Sequence, residues 1–451
     1  MIQPFLRQKV YSARPPAVVC LYHRKHILSN HTAGGCARCL RGCILLLRFF
    51  YLVAIISLYV AMKIKNREAI FEIFLSIFFL IYTAAHVYVF FKARAALGFG
   101  AGAGGALAVF MLVMIVSPLL VYYAEKNHYE LIARFLSYFG YTWMGMLFLF
   151  FCSALIIDVY HIGVYLISRL SQEPLQNLMP SAKVSFYVPL ILSVAIAVYG
   201  YFEAKNIHTE RIAINTSKLP EDISRLRIVQ ISDVHVGLII RKRRLRNIIG
   251  KVKEADPDIL VSTGDLLDGQ INGLTGLAGM LGEINPKYGK FAITGNHEFY
   301  AGIEHAMDFT KKAGFVVLRG EGVTVNGVIA LAGIDDPAGK PFGVYKEVSE
   351  TALLSGFPKD RFILLLKHRP VIDKECEGLF DLQLSGHTHK GQLFPFSLIT
   401  KLSYIIDAGY LQLSSNSALY VNRGAGTWGP PMRFMSPPEI TVIDLYRSNR
   451  S

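Results

Sequence analysis

The apolar residues of this 451-residue chain are concentrated in its first half. Long apolar stretches run as far as Phe202, whereas most acidic residues and most other polar residues of catalytic type come later. A hydrophobic content of 52% is too high for an ordinary soluble protein. The sequence therefore predicts a membrane-embedded first half and a water-exposed second half, with the boundary near Glu203.

Five apolar stretches approach the roughly 20 residues that a helix needs to cross the hydrocarbon core. They cover residues 44–62, 70–91, 104–124, 135–157 and 184–202. The first is the least regular because Arg48 interrupts it, and the shorter run that follows also suits an interfacial or buried segment. An Arg48 side chain that reaches back to the basic flank would restore the span. We predict an α-helical membrane domain of about five helices.

Basic residues in short loops indicate which side of the membrane each end occupies. Residues 1–42 form a basic tail with the following cations: Arg7, Lys9, Arg14, Arg24, Lys25, Arg38 and Arg41. The tail is therefore predicted to be cytoplasmic, and an odd number of spans puts the second half outside the cytoplasm. The loop at residues 63–67 is also basic, so loss of the first span would reverse this orientation.

The second half of the chain alternates short β-branched runs with helix-like segments. The runs are LRIVQIS, DILVSTGD, KFAITGN, VIALAGID, FILLLKH and LQLSGHT, and the helix-like segments include residues 242–254 and 303–313. This alternation is typical of an α/β domain with buried strands. Loops at the ends of such strands commonly carry the functional side chains.

Polar side chains follow most of these strands. They are Asp233, His235, Asp265, Asn296, His297, His368, His387 and His389. Oxygen and imidazole ligands without thiolates suit Mn, Fe, Zn, Ni or Co, and there are more ligands than one ion needs. Two divalent ions that share Asp265 are the simplest solution, because a carboxylate has two oxygens to offer. Any one motif alone would more often be a helix cap or a core histidine, but five strand-end motifs in one domain favour a metal site.

Glycines precede several of these ligands, at Gly264, Gly295 and Gly386. A residue without Cβ lets the backbone turn sharply at a strand end and approach its neighbours closely. The glycines are therefore predicted to allow the ligand loops to converge.

The ordered motifs DVH, GD, GNHE, KH and GHTH resemble those of the calcineurin-like metallophosphoesterase superfamily, over residues 226–444. The preceding spans and the segment YVNRGAGTWGPPMRFMSPPEI resemble its transmembrane branch, which is similar to the bacterial YkuE-like phosphohydrolases. The resemblance implies a four-layer α/β fold in which helices flank a two-sheet β-sandwich, with a two-metal centre at the strand ends. It also implies a bacterial inner membrane as the location.

The resemblance assigns ligands residue by residue. One ion would be held by Asp233, His235, Asp265 and His389. The other would be held by Asp265, Asn296, His368 and His387. The resemblance further implies that His297 contacts the phosphoryl group and protonates the leaving oxygen, that Glu298 orients His297, and that Arg423 lies in a substrate-binding loop. Arg369, beside His368, either meets a substrate phosphate or faces solvent.

Two functional hypotheses follow. The first is a membrane-anchored phosphohydrolase in which a hydroxide bridging two ions, roughly 3.5–4 Å apart, attacks a phosphoester or pyrophosphate bond. Its substrate would be a phosphorylated small molecule or lipid, such as a lipid-linked or nucleotide-sugar pyrophosphate. The second is a membrane sensor or transporter with a regulatory phosphoesterase domain, which a pocket lined by Glu72, His86 or Asp158 would favour.

The predicted organisation is a tail at residues 1–42, a membrane domain at 43–203, a linker and entry strand at 204–225, and a phosphoesterase domain at 226–451. The net charge of +14 is explained by contact with the lipid bilayer, since much of it lies in the tail and beside the spans. Nucleic acid is not an expected partner, because no basic and aromatic array of a strand-binding groove is present in the sequence.

Overall fold

The computed structural model describes residues 67–269, 274, 276–414 and 416–448. The basic tail and the predicted first span, residues 44–62, lie outside the described residues.

Four long helices open the described chain. They are α1 (Arg67–Leu97), α2 (Ala101–Lys126), α3 (Glu130–Ser171) and α4 (Ala182–Glu203). Each contains a stretch that is long and apolar enough to cross a membrane. The predicted second to fifth spans each fall within one of these helices, so a helical membrane domain is confirmed. Helix α3, with 42 residues, extends well beyond the predicted span.

The chain forms two compact units. One contains Asp158–Met179 and the described residues up to Ala84, and the other contains Ala85–Ile157 and the chain from Pro180 onward. Helices α2 and α4 and the first part of α3 thus belong to the same unit as the C-terminal domain. Helix α4 ends at Glu203 and the first strand begins at His208, while the predicted domain boundaries themselves stay predictions.

Two six-stranded sheets form the C-terminal domain. The first contains, in spatial order, β1 (His208–Thr216), β12 (Glu439–Arg447), β2 (Arg225–Ile231), β3 (Ile259–Ser262), β4 (Lys290–Ala292) and β5 (Val316–Val317). The second contains β10 (Gly409–Gln412), β11 (Ala418–Val421), β9 (Leu382–Ser385), β8 (Phe362–Lys367), β7 (Ile329–Ile334) and β6 (Glu321–Val325). The six predicted runs correspond to β2, β3, β4, β7, β8 and β9.

Short helices cover the sheets. They are α5 (Lys242–Ala255), α6 (Leu277–Gly282), α7 (Asn296–Tyr300), α8 (Ile303–Lys312), α9 (Glu350–Ser355) and α10 (Ser397–Ser403). In α5 the apolar residues recur with helical spacing, so Leu245, Ile248 and Val252 are buried while the basic residues lie on the other face.

Alternating side chains along each strand build the layers. In β7, Ile329 and Leu331 enter the core between the two sheets, whereas Ala330 and Ala332 pack on the opposite face against Leu354 and other apolar residues. The outer face of the first sheet packs against α5, α6 and α8. The four-layer arrangement predicted from the sequence is confirmed.

Parallel pairing determines where the loops meet. Strands β2, β3 and β4 run parallel in the first sheet, and β7, β8 and β9 run parallel in the second. The carboxyl ends of parallel strands lie at one edge of a sheet, so the polar residues that follow them are brought together.

Candidate metal centre

Loops after β2, β3, β4, β8 and β9 carry the ligands predicted from the sequence, and the fold brings seven of these side chains to one place. They form two groups that share a carboxylate.

The first group consists of Asp233, His235 and His389, whose ligand atoms lie within 4.8 Å of one another. The His389 Nε2 atom is 3.1 Å from the His235 Nε2 atom and 3.4 Å from Asp233 Oδ1. All three side chains are buried. Two imidazole nitrogens and a carboxylate oxygen therefore face one point.

The second group consists of Asp265, His368 and His387, with Asn296 beside them. The His368 Nε2 atom is 3.1 Å from His387 Nδ1 and 3.3 Å from Asn296 Oδ1. The His368 Nδ1 group donates a hydrogen bond to the Thr263 carbonyl at 2.7 Å, which directs Nε2 toward the other ligands.

Asp265 lies between the groups. Its Oδ2 atom is 3.3 Å from His368 Nε2 in one group and 3.9 Å from His235 Nε2 in the other. Its Oδ1 atom accepts a hydrogen bond from the His297 backbone at 2.9 Å, which holds the carboxylate in this orientation. The Asp265 carboxylate is therefore close to histidines of both groups.

The backbone of the ligand loops is strained. Five of the ligands have left-handed backbone conformations with φ between 48° and 72°: Asp233, His235, Asp265, His387 and His389. Such a conformation costs a non-glycine residue on the order of 1–3 kcal/mol and is concentrated at functional sites. The surrounding packing must maintain these conformations, which aim the side chains inward.

Gly386 shows why the glycines are needed. A Cβ atom at this position would overlap the Ser232 hydroxyl and the Asp233 carboxylate. At Gly264, where φ is +93°, a Cβ atom would lie 2.8 Å from His368 Nδ1. The glycines therefore allow the loops of the two sheets to touch, as the sequence predicts.

We expect Gly386→Ala to displace Asp233 and to lower metal occupancy and turnover, with a loss of activity of about 100-fold. Metal content and hydrolysis of an aryl phosphodiester measure both effects. Gly250→Ala is the matched control, because a Cβ atom at Gly250 meets nothing within 4 Å. Normal metal content in Gly386→Ala would contradict this prediction, because it would show that the two loops can move apart without loss of the metal site.

Glu298 has a different role from the one that the resemblance implies. Its carboxylate accepts hydrogen bonds from the backbone N–H groups of Asp265, Leu266 and Gly295, at 3.0, 2.8 and 2.7 Å. It thus ties the loop after β3 to the loop after β4. The expectation that Glu298 orients the His297 ring is wrong.

Asp268 instead faces His297, and sequence reasoning missed it. Its Oδ1 atom is 3.3 Å from His297 Nδ1 and 3.8 Å from His235 Nδ1. These are ion-pair distances, although both Nδ1 atoms lack a hydrogen bond of good geometry among the described residues. The available signal was the second aspartate of GDLLD, three residues after the bridging ligand.

Burial keeps three ligand histidines neutral. Desolvation lowers the pKa of His235 to about 4 and that of His387 to about 3, and nearby cationic groups add to both shifts. Burial, His235 and Arg433 hold the pKa of His389 well below its usual range. A neutral imidazole is the form that binds a metal ion.

Nearby carboxylates raise the pKa of two other histidines. Burial opposes the charged form of His368 and of His297, but Asp265 and neighbouring carboxylates outweigh it and raise their pKa values to about 10 and about 9. Reciprocally, although burial favours the neutral acid, His368 and His297 hold the pKa of Asp265 well below its usual range. The centre therefore attracts positive charge.

The residues present fit two divalent metal ions. In each group two imidazole nitrogens face each other at 3.1 Å. Together with carboxylate and amide oxygens, they form a donor set typical of such ions. His297 also has a ring nitrogen within 4.8 Å of the ligand atoms of His235 and Asp265. Its position at the edge of the centre suits either a role toward substrate or an additional ligand.

Arginines lie around the centre. Arg433 is fully buried, and its Nη2 atom is 3.1 Å from His389 Nδ1. Arg369 pairs with Asp336 through two hydrogen bonds of 2.7 and 3.1 Å rather than simply facing solvent. Arg423, the predicted substrate-binding residue, forms ion pairs with Glu210 and Glu439, so its role in substrate binding stays a prediction.

A model of the calcineurin-like phosphoesterase family matches residues 226–391, which include all the predicted ligands. Over 257 residues the chain is 39% identical to a metallophosphoesterase of Aquifex aeolicus, and the match covers 57% of this chain and 98% of that protein. The chain belongs to the calcineurin-like metallophosphoesterases.

Two further proteins that are similar to this chain are a transmembrane protein and YkuE. The transmembrane protein with metallophosphoesterase domain of Danio rerio is 34% identical over 270 residues, covering 57% of this chain and 61% of that protein. The metallophosphoesterase YkuE of Bacillus subtilis is 32% identical over 268 residues, covering 56% of this chain and 91% of that protein. The superfamily and the transmembrane branch predicted from the sequence are confirmed, and the chain is a membrane protein.

Proposed function

We propose that this metallophosphoesterase is a membrane-anchored phosphohydrolase that requires two divalent metal ions and cleaves phosphoester or pyrophosphate bonds, with lipid-linked or nucleotide-sugar substrates. The observation that carries the proposal is the position of Asp265 Oδ2 between His368 and His235. Asp233, His235, Asp265 and His389 would hold one ion, and Asp265, Asn296, His368 and His387 the other. Bound ions of this kind supply a water that ionises at neutral pH and neutralise phosphoryl oxygens.

The protein's own groups position the substrate and move a proton. Water adds an OH group to phosphorus, the P–O bond to the leaving group breaks, and the leaving oxygen takes a proton. His297 is the proton donor in this proposal, because its protonated ring is favoured by Asp265 and Asp268. A donor at this position contributes about 10² to 10⁴ to the rate.

The test is a substrate screen of the purified protein with Mn²⁺, the first ion to try among Mn, Zn, Fe, Ni and Co. Phosphomonoesters, phosphodiesters, nucleotide sugars and phospholipids are compared, and turnover of one class identifies the bond that is cleaved. Failure to hydrolyse any of them with any of the five ions would contradict the proposal.

A pocket lined by Glu72, His86 or Asp158 would favour the sensor or transporter hypothesis. His86 is almost fully buried and accepts a hydrogen bond from the Trp143 indole at 2.9 Å. Asp158 is buried, with one oxygen 3.8 Å from His161 Nδ1. The Glu72 side chain lies outside the described residues. His86 and Asp158 line neither of the two apolar cavities described in the next subsection.

We further propose that the catalytic domain lies outside the cytoplasm of a bacterial cell. The basic tail and the odd number of predicted spans support the orientation, and the 39% identity to a bacterial protein supports the host. We expect a Ser448→Cys variant, in a background without native cysteines, to react with an impermeant thiol reagent in intact cells. Reaction only after lysis would place the domain in the cytoplasm.

A further inference from the structure

An apolar groove runs along the membrane helices toward the metal centre. One part has a volume of about 370 Å³ and is lined by Thr142 and Met146 of α3, Val194 and Val198 of α4, and Met432 of the loop after β11. A second part, of about 320 Å³, continues along α3 past Thr142 and Met146 to Phe135. The second part is formed by α3 residues alone and shares Thr142 and Met146 with the first, and we call the two parts together the acyl groove.

The acyl groove has the length of one bilayer leaflet. From Phe135 to Met146 the helix rises by about 16 Å, at 1.5 Å per residue. Half of a bilayer's hydrocarbon core is about 15 Å thick. Val194 and Val198 lie in the last three turns of α4, immediately before the catalytic domain. The groove therefore lies beside the catalytic domain.

One short loop connects the acyl groove to the metal ligands. Met432 lines the groove, and the next residue, Arg433, reaches His389. The Arg433 backbone N–H donates to the Gly200 carbonyl at 2.9 Å, and a Cβ atom at Gly145 would lie 3.0 Å from the Met432 sulfur. These glycines of α3 and α4 let the loop lie directly on the membrane helices.

The same loop reaches the edge of the catalytic centre. The Trp428 ring lies edge-on to the His297 ring, with 5.9 Å between centroids. Gln392 holds this part of the loop by donating to the carbonyls of Trp428 and Pro430, at 2.9 and 3.0 Å. A chain in the groove would thus leave its polar end beside His297.

Basic side chains lie near the end of the groove that is formed by the last turn of α4. The Lys205 ammonium lies 3.4 Å from the centroid of the Tyr201 ring, which also lines the groove, and Arg243 interacts with the same side chain. Arg244 donates to the Ala204 carbonyl at 2.6 Å, so the basic start of α5 rests on the end of α4. A cationic rim above an apolar groove complements a lipid with an anionic headgroup.

Helix α10 presents a second apolar surface next to the same membrane helices. Phe396 packs edge-on against Phe148 of α3 at 6.3 Å, and Leu402 is 89% exposed, with Leu398 and Ile399 each 54% exposed. Exposed apolar side chains on a short helix beside membrane spans are expected to enter the interfacial region. The ring of Tyr404, just after α10, lies 6.0 Å from the His387 ring, so α10 is close to the metal centre.

We propose that the substrate is a membrane lipid with a phosphate or pyrophosphate headgroup, whose acyl chain occupies the acyl groove while its phosphate lies at the metal centre. The inference rests on the proposed phosphohydrolase function and narrows it, because a soluble nucleotide sugar would leave both the groove and the α10 surface without a role. The lipid enters sideways from the leaflet, with its phosphate already at the depth of the centre.

Two diesters with the same leaving group test the inference. Methyl 4-nitrophenyl phosphate and hexadecyl 4-nitrophenyl phosphate are assayed with Mn²⁺ and the full chain in nanodiscs. We expect a kcat/KM at least about 100-fold higher for the hexadecyl diester, from enrichment in the bilayer and binding of the chain in the groove. Equal kcat/KM values would overturn the inference.

The Val198→Trp variant distinguishes binding of the chain in the groove from simple partition of the substrate into the bilayer. Val198 lines the groove and is 55% exposed, so a tryptophan there fills the groove without entering the core. We expect the ratio of the hexadecyl to the methyl kcat/KM to fall by about 10-fold or more. Ile191→Trp is the matched control, because Ile191 is on the same helix, is 64% exposed and does not line the groove. Equal effects of the two variants would contradict the proposal, and Thr142→Phe provides a second groove variant if Val198→Trp does not fold.

A binding measurement does not depend on turnover. EDTA-treated protein is photolysed with phosphatidic acid that carries a diazirine in its acyl chain. We expect labelling of the peptides around Met146 and Val198, reduced at least about 5-fold in Val198→Trp and not in Ile191→Trp. Unlabelled groove peptides in the wild type would show that the predicted span at residues 44–62, or a second copy, covers the groove, and would overturn the inference. If the substrate screen finds no hydrolysis but labelling is as expected, the phosphohydrolase proposal fails and the lipid site stands.

Discussion

Asp265→Ala is expected to empty both metal sites and to abolish hydrolysis. The carboxylate is within 3.3 Å of His368 Nε2 and 3.9 Å of His235 Nε2, so its loss removes a ligand from each group and the negative charge between them. Because bound ions contribute several kcal/mol to transition-state stabilisation, kcat/KM should fall by about 1,000-fold or more. Metal content of the purified protein and turnover of an aryl phosphodiester measure the two effects.

Asp308→Ala is the matched control for this variant. Asp308 is an exposed aspartate of α8 that pairs with Lys312 at 2.7 Å, and its replacement should leave metal content and rate unchanged. Full activity of Asp265→Ala with two bound ions would show that the centre does not need a shared ligand, and the two-metal assignment would then be refuted.

His297→Ala is expected to keep the metal ions and to slow turnover by about 10² to 10⁴. The ring lies at the edge of the centre, held near Asp268 at 3.3 Å and next to the Trp428 ring. A proton donor matters most when the leaving group is a strong base. The loss should therefore be largest for alkyl ester leaving groups and smallest for 4-nitrophenolate, which leaves without protonation.

The dependence on the leaving group separates proton donation from other roles. If His297 only binds the phosphoryl group, the loss will be the same for both leaving groups. If metal content falls instead, His297 is a ligand, as its distance to the atoms of His235 and Asp265 permits. His305→Ala, at an exposed position of α8, is the matched control and should behave as the wild type.

Local sequence patterns were sufficient to predict the strands and the ligands. Short β-branched runs bounded by turn residues favour buried strands, and a polar residue directly after such a run is then expected at the end of the strand. This is why the ligands from Asp233 to His389 were predicted from spacing and residue type. Membrane helices α1 to α4 were predictable for a similar reason, since a run of about 20 apolar residues has few other stable environments.

The roles of Glu298 and Asp268 show where this reasoning stops. Both are acidic residues near a ligand, and spacing along the chain does not reveal which one contacts His297. The contact depends on how the loop after β3 crosses the loop after β4, with Glu298 bound to the backbone of the first loop. Similarly, Arg423 lies in the predicted substrate loop, but the parallel pairing of β1 with β12 brings Glu210 to it.

By itself, the sequence determined that this protein has membrane helices, an α/β domain and a set of oxygen and imidazole ligands, because hydrophobic periodicity and ligand chemistry are local properties of the chain. Only the tertiary structure decided that Asp265 stands between two ligand groups, that Asp268 faces His297, and that the loop after β11 lies on α3 and α4. Each of these depends on distances between residues far apart in the chain, which the packing of two sheets and four helices sets and which no local pattern encodes.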